Sequence, residues 1–427
     1  MKTDLNIILV GIDTLRADRL GAYGNVGNSP NIDAMAGTGV LFENCFSQAP
    51  ATAPSFMSIF TSLYPSYHGV LDNIGATGTR GRSYALDESV PTMTEFFKRS
   101  GFRTAAFTDG GNLYDGLGFA KGFDFYSMNR GYGHAAAIIP EKDIFYWLQE
   151  YSREQFFLFI HTYAVHSPWN IPAQYHTADY NNILPVDSKH VSDQALFMVH
   201  FQKELREYMA YVSQSSVHDP KIAELMSSLY NDAIRYVDDF MGNLMETLKQ
   251  LNINRQTVVI FTSDHGEEFL DHGMLSHKQL YNEILRVPLI FHAPAFDLKG
   301  VICSIARSID IFPTIAELLE LPLDIEIHGE SLMPMVREQK HSDRIAIAEA
   351  ETYGFSVQDQ NFKYIYPRYK NYSERTDELY DLLRDPREKQ NIFIGEEKTA
   401  NQMRNIFETE LHSRPRIKTH KKIIHLL

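Results

Sequence analysis

The chain has 427 residues, 44% of them hydrophobic and 22% charged, the composition of an ordinary globular protein with room for a large buried core. Its formal net charge of −14 argues against a nucleic-acid or anionic-membrane partner, either of which would need a basic face. An anionic substrate is not excluded, because a bound cation reverses the sign of the local field, and the two cysteines, Cys45 and Cys303, are too few for a disulfide framework or a thiolate zinc site.

The N-terminal MKTDLNIILVGIDTLRADRL has a short apolar run and an early Asp4, so it is read as a first strand and not as a signal sequence. No run reaches the length of a membrane span, and the expected location is the cytoplasm. Further apolar runs read as strands buried on both faces: Asn6 to Ile12, Thr104 to Phe107, Phe156 to Ile160, Thr257 to Phe261 and Val287 to Phe291. Thr92 to Arg99 reads as a short helix, with Pro91 before it and Gly101 after it. Leu229 to Leu251 is the clearest helix, with Ile234, Val237, Met241, Leu244 and Leu248 recurring at helical spacing. Strands alternating with helices predict an α/β fold with a doubly wound, mainly parallel sheet. From about residue 345 the pattern changes, with strands expected at Arg344 to Ala350 and Phe362 to Tyr366. Residues 1–344 are therefore expected to form the catalytic domain and 345–427 a smaller C-terminal α+β subdomain packed on it, ending in the basic tail RPRIKTHKKIIHLL.

Ligands of open parallel sheets bind beyond the carboxyl ends of the strands. There the chain places Asp13, the pair Asp264-His265, and His161 with His166 a few residues on. Asp13, Asp264 and His265 offer two hard oxygens and one imidazole, a set that favours Zn²⁺ or Mn²⁺ over Ca²⁺ or Mg²⁺. Thr52 stands where a helix carrying Phe56, Ile59, Phe60 and Leu63 begins, with Pro54 in its first turn. Its hydroxyl is either a helix cap or a nucleophile beside an anion held at the helix N-terminus.

These segments resemble the sulfatases of the alkaline phosphatase superfamily over nearly the whole chain and in the family's order. The matching pieces are NIILVGIDTLRADRLGAYG, SPNIDAMAGTGVLFENCFSQAPATAPSFMSIFTSLYPSYHGV, FLFIHTYAVHSPWNIP, TVVIFTSDHGEEFLDHGMLSHKQLYNEILRVPLIFHAP, DIFPTIAELLELP and ELYDLLRDPREKQN. The resemblance implies a divalent metal held by Asp13, Asp264 and His265 together with Thr52 as nucleophile. It also implies roles for Asn73, His166 and His277 in contacting the substrate anion or serving the leaving group. His272 is a further candidate, for the substrate or for a second metal. His161 is expected to pack at a strand end and His328 to lie at the active-site rim or in a turn. Asp18 and Asp33 are expected to fix loops, and Arg16, Asp18 and Arg19 to form a solvated face.

The departures from the pattern bear on mechanism. Typical sulfatases carry Cys-x-Pro-x-Arg and oxidise the Cys to formylglycine, whereas this chain has Thr52-Ala53-Pro54-Ser55-Phe56, with Cys45 too early to substitute. No formylglycine is expected. Thr14 replaces the second Asp of the usual pair, Ala164 stands where many relatives have Asp, and the family's Lys falls at His277 or Lys278. A sulfo-threonine cannot collapse to an aldehyde, so the residues favour a phosphomonoester, phosphodiester or phosphonoester. A sulfuric ester is the alternative, followed by a phosphoryl-headgroup transferase and an inactive binding module. The expected partner is a small or glycan-linked anionic ester. Tyr114, Tyr126, Trp169 and Tyr175 are the aromatic residues expected to shape its pocket, and the oligomeric state is left open.

Overall fold

The computed structural model describes residues 5–25, 27–73, 85–128, 138–177, 220–338, 342–367 and 376–413. The basic tail and residues 178–219, beyond the expected pocket residue Tyr175, lie outside these residues. Strands β1 (Asn6–Ile12), β2 (Val40–Phe46), β3 (Arg103–Thr108), β4 (Phe125–Met128), β5 (Phe156–Thr162) and β6 (Thr257–Ser263) belong to one large sheet. A two-residue ribbon, β7 (Glu268–Phe269) with β8 (Leu275–Ser276), follows β6, and β9 (Arg286–Val287), β10 (Leu289–His292) and β11 (Gly300–Arg307) complete the large sheet. The nine-stranded order is β11-β2-β10-β6-β1-β5-β3-β4, with β9 paired to β2. All pairs from β6 to β4 are parallel, while β10 runs against both β6 and β2. The sheet is thus the mainly parallel one expected.

β1, β5 and β6 are buried along their whole length, which is why they read as unbroken apolar runs. The expected strand Val287 to Phe291 is split at Pro288, which has no N–H to give to a ladder. β2 and β11 were not evident from the sequence, because Glu43-Asn44 and Cys303-Ser304 interrupt their apolar pattern.

Four helices matter for the site and its support. Helix α1 (Thr52–Thr61) is buried at every position. Helix α2 (Met93–Arg99) starts at a capping box in which Thr92 and Glu95 satisfy each other's backbone N–H groups. Helix α3 (Pro220–Gln250) begins nine residues before the expected Leu229 and packs Leu229, Val237, Phe240 and Leu244 into the core on one face of the sheet. The opposite face carries α1 and α2 through Phe56, Phe60 and Phe97.

Beyond residue 345 lies a separate four-stranded antiparallel sheet of β12 (Ala346–Ala350), β13 (Gly354–Gln358), β14 (Phe362–Pro367) and β15 (Glu378–Asp381). Helix α4 (Glu397–Ser413) covers it through Ala400, Met403 and Phe407. Its attachment to the larger unit is polar as well as apolar. Glu349 accepts hydrogen bonds from the Ser66 N–H and hydroxyl at 2.8 and 2.9 Å. Lys363 Nζ lies 2.7 Å from Glu388 Oε1, with both side chains fully buried, and donates to Asn282 Oδ1 at 2.8 Å. Among the described residues no helix is long and apolar enough to cross a membrane.

The Lys363–Glu388 pair is strongly asymmetric to mutation. Lys363→Met strands a buried carboxylate and is expected to lower stability by about 3–5 kcal/mol, whereas Lys363→Met combined with Glu388→Leu recovers most of the loss. Urea unfolding curves of the single and double variants measure the difference.

Candidate functional site

The three central strands deliver their polar residues to one edge. Gly11 of β1 pairs with His161 of β5 on one side and Thr262 of β6 on the other, so Asp13 and Asp264 emerge side by side just past the strand ends. The donor atoms of Asp13, Asp264 and His265 lie within 4.8 Å of one another, and all three residues are buried. Asp264 Oδ1 is occupied, accepting from the N–H groups of Thr14 (3.1 Å) and His265 (2.8 Å). His265 Nδ1 is 2.9 Å from the Gly266 carbonyl, which as acceptor puts the ring proton on Nδ1 and leaves the lone pair on Nε2. The atoms facing inward, both Asp13 oxygens, Asp264 Oδ2 and His265 Nε2, have no hydrogen-bond partner. Burial, and then repulsion from Asp264, hold the Asp13 carboxyl well above the usual carboxylate range. Two buried acids and an imidazole with their lone pairs converging and unpartnered fit a divalent cation.

Thr14, in the place of a further carboxylate, does not join this set. Its hydroxyl turns back onto the Asp13 carbonyl at 2.7 Å. Its backbone is left-handed, φ 58°, an unusual state for a β-branched residue. The strain is held by hydrogen bonds: Tyr230 of α3 donates its hydroxyl to the Thr14 carbonyl at 2.6 Å and accepts from the Arg16 N–H at 2.7 Å. Arg16 itself is buried, donating to Asp18, Asp271 and the Glu267 carbonyl. The expectation of a solvated Arg16–Asp18–Arg19 face is therefore corrected for Arg16, whose partner Asp271 is distant in sequence. Asp33 fixes the neighbouring loop as expected, accepting from the Ala22 N–H and the Ser29 hydroxyl.

The helix cap position is taken by Ala51, and Thr52 is the first helical residue of α1. Its hydroxyl is close enough to Asp13 to stabilise that carboxylate, so it faces the donor cluster and does not cap its own helix. Asn73 supplies the cap instead, its Oδ1 accepting from the Ala53 N–H at 2.9 Å. Pro54 has no N–H and Ser55 N–H is bonded to the Ala51 carbonyl. The first turn thus offers an anion fewer free donors than the sequence suggests. Phe56, one turn beyond Thr52, packs edge-on against His161 with ring centroids 5.1 Å apart. It also lies so close to β1 that a Cβ on Gly11 would meet its ring at 2.5 Å. His161, expected only to pack at a strand end, also has its Nε2 3.7 Å from Asp13 Oδ2. Burial pushes its pKa down to about 4, and the nearby Asp109 and Asp264 only partly offset this.

Two imidazoles border the cluster. The His277 ring lies 4.5 Å from that of His265 and 5.1 Å from that of His166. Burial favours neutral His277, but the Glu267 carboxylate, 3.3 Å from its Nδ1, outweighs that and keeps its pKa above the ordinary value. Glu267 has no signal in the sequence beyond its place after Asp264-His265-Gly266. His272 is placed in a different polar cluster, stacked on Tyr281, with Nε2 3.2 Å from Glu283 and its donor atoms grouped with Glu283 and Glu388. Glu268 accepts a short hydrogen bond from the His272 N–H, and burial pushes its carboxyl up to about 7. His328, expected at the active-site rim or in a turn, lies in a buried bend at the far end of α1, bonded through its N–H to the Ser62 carbonyl and packed on Tyr67. Among the expected pocket aromatics, Trp169 is core, Tyr126 donates to the Leu113 carbonyl, Tyr175 donates to Asp239, and Tyr114 is exposed.

A family profile described as Sulfatase matches residues 5–321, and one described as N-sulphoglucosamine sulphohydrolase, C-terminal, matches 270–415. An N-acetylglucosamine-6-O-sulfatase of Bacteroides thetaiotaomicron is 23% identical over 91% of this chain and 82% of its own. A multifunctional alkaline phosphatase superfamily protein of Trinickia caryophylli is 24% identical over 91% of each. Among solved structures, one in complex with its substrate D-glucosamine-2-N,6-O-disulfate aligns with a TM-score of 0.77 at 18% identity, over 97% of this chain and 100% of that one. A phosphonate monoester hydrolase of Agrobacterium radiobacter aligns with a TM-score of 0.73 at 19% identity, over 96% and 95%. These likenesses bear out the expected fold, and the curated relatives fit the sulfuric-ester alternative better than the phosphoester reading.

The geometry gives two expected outcomes. Zn²⁺ or Mn²⁺ added to chelator-treated protein raises its melting temperature, by about 2.7 kcal/mol in stability at a hundredfold excess over Kd, and Asp264→Asn removes the effect; differential scanning calorimetry measures both. Glu268 is raised from 4.5 to about 7 on folding, so its contribution is full below pH 4.5 and is lost as pH rises to about 7. Glu268→Gln is expected to flatten stability against pH across that window in denaturant titrations.

Proposed function

The chain belongs to the sulfatase family, whose members are ester hydrolases that use a divalent metal, and on that premise we propose that it hydrolyses a sulfuric ester through Thr52. The observation that carries the reading is the Thr52 hydroxyl at the start of a buried helix, beside Asp13 of the unpartnered Asp13–Asp264–His265 cluster. The choice of sulfate over phosphate rests on the curated relatives that match nine-tenths of the chain, named as sulfatases. The sugar-6-O-sulfatase among them supports a small or glycan-linked sulfated sugar as substrate.

Asp13, Asp264 and His265 would hold the metal, which supplies charge neutralisation for the ester oxyanion and a lowered pKa for a neighbouring hydroxyl. Thr52 loses its hydroxyl proton to solvent and attacks sulfur opposite the leaving oxygen. The Thr52 Oγ–S bond forms and the bond from sulfur to the leaving oxygen breaks. His277, whose pKa Glu267 raises, donates a proton to that oxygen, with His166 beside it. Water then attacks sulfur, giving a proton back to the now neutral His277; the S–Oγ bond breaks, sulfate leaves, and Thr52 Oγ takes a proton from solvent. The Asn73 side chain holds the Ala53 N–H, and so fixes the helix end on which Thr52 is presented.

A second reading, a phosphonate or phosphate ester, is favoured by Thr52 and Phe56 standing where the family's formylglycine chemistry needs Cys and Arg. A phosphorylated threonine can be cleared by attack at phosphorus, and a relative matching 91% of the chain is named multifunctional. The test is a panel of nitrophenyl sulfate, phosphonate, phosphate monoester and phosphodiester, each with Zn²⁺, Mn²⁺, Mg²⁺ or Ca²⁺. The expected result is the highest kcat/KM on sulfate, and a loss of at least about a thousandfold in Thr52→Ala. Highest turnover on phosphonate or phosphate transfers the assignment to the second reading. His277→Ala is expected to lose about a hundredfold or more on an alkyl ester and far less on the nitrophenyl ester, whose leaving group needs no proton.

A further inference from the structure

We infer that His161 is a further ligand of the metal centre, supplying the donor that Thr14 does not. The inference rests on the metal-dependent reading above. His161 is 1% exposed, and neither Nδ1 nor Nε2 has a hydrogen-bond partner. A buried imidazole with both nitrogens unmatched is stable only if something absent from the chain itself occupies one of them. The walls around it are apolar or edge-on: the Phe56 ring at 5.1 Å and the Tyr163 ring at 4.7 Å, both near perpendicular. They fix the plane of the imidazole without offering it an acceptor.

Its position is set by the sheet. β5 lies beside β1, His161 is in register with Gly11, and its Nε2 reaches to 3.7 Å from Asp13 Oδ2. Two donors each about 2.1 Å from one ion lie at most about 4.2 Å apart. The 3.7 Å separation is within that reach, as is the 3.3 Å between Asp264 Oδ2 and His265 Nε2. His161 thus approaches the cluster from the Asp13 side, outside the three donors that lie within 4.8 Å of one another, so an ion held by all four draws it inward. Asp109, at the end of the neighbouring β3, is the carboxylate that acts most strongly on His161. Asp109 is itself fixed by the Thr162 hydroxyl at 2.7 Å and the Tyr163 N–H at 2.8 Å. Thr14 has no side-chain atom to contribute, its hydroxyl being committed to the Asp13 carbonyl. Two carboxylates and two imidazoles shift preference away from Ca²⁺ and toward Zn²⁺, Co²⁺ or Mn²⁺.

The test uses His161→Phe, which keeps a ring against Phe56 and Tyr163 but removes both nitrogens, and His161→Asn in case the first does not fold. Zn²⁺ affinity by chelator competition, metal content after dialysis, and the visible spectrum of the Co²⁺ form are compared with wild type. The expected result is binding weaker by about 10–100-fold and an altered Co²⁺ spectrum, with the metal-free variant melting no lower than metal-free wild type. Wild-type affinity and an unchanged Co²⁺ spectrum in the variants overturn the inference and leave the hydrolase reading standing. Wild-type protein that takes up no stoichiometric metal overturns both.

Discussion

The structure turns on the repulsion between two carboxylates, Asp13 and Asp264, that the sheet forces together in a dry interior. Each follows a strand buried on both faces, and the strands are neighbours, so the contact cannot relax without breaking the centre of the sheet. The chain answers part of the charge with N–H groups on Asp264 and leaves Asp13 bare. What surrounds the pair is arranged for a cation to complete: an imidazole with its tautomer fixed and a hydroxyl at a helix start.

Holding that geometry falls to residues that do not touch the cluster. Tyr230 couples the long helix α3 to the strained Thr14 and to Arg16 with one hydroxyl, donating to one and accepting from the other. Arg16 then ties the loop after β1 to the loop after β6 through Asp271 and the Glu267 carbonyl. Removing either would free two loops at once, because each loop's position is defined by the other. The buried arginine is satisfied by several acceptors, which is what allows a charge to be stable there.

Much of this was readable in the chain. β1, β5 and β6 announce themselves because full burial demands unbroken apolar runs, and the metal-type residues follow those runs directly. Thr52 was legible as a helix start, but whether it capped the helix depended on where its hydroxyl pointed, and Asn73, twenty-one residues on, decides that by taking the Ala53 N–H. His161 packs at the end of an apolar strand as expected, but its approach to Asp13 was not legible there. Its meaning comes only from strand order, which sets β5 against β1. Arg16 looked solvated because its near neighbours are charged, while the residues that bury it lie some 250 positions away. β2 and β11 were invisible because polar residues on partly open stretches break their alternation.

The Phe56 ring has a consequence for how this site can have diverged. It lies against the bare backbone of Gly11, beside Phe159 and edge-on to the His161 ring. In relatives with the Cys-x-Pro-x-Arg pattern that helical position carries a cation. An arginine placed here alone would lose the ring that packs on Gly11 and His161, and a cysteine placed alone at position 52 would lack the arginine that supports its oxidised form. Positions 52 and 56 are thus coupled: the proposed threonine chemistry differs from the cysteine chemistry in this wall as well as in the attacking group.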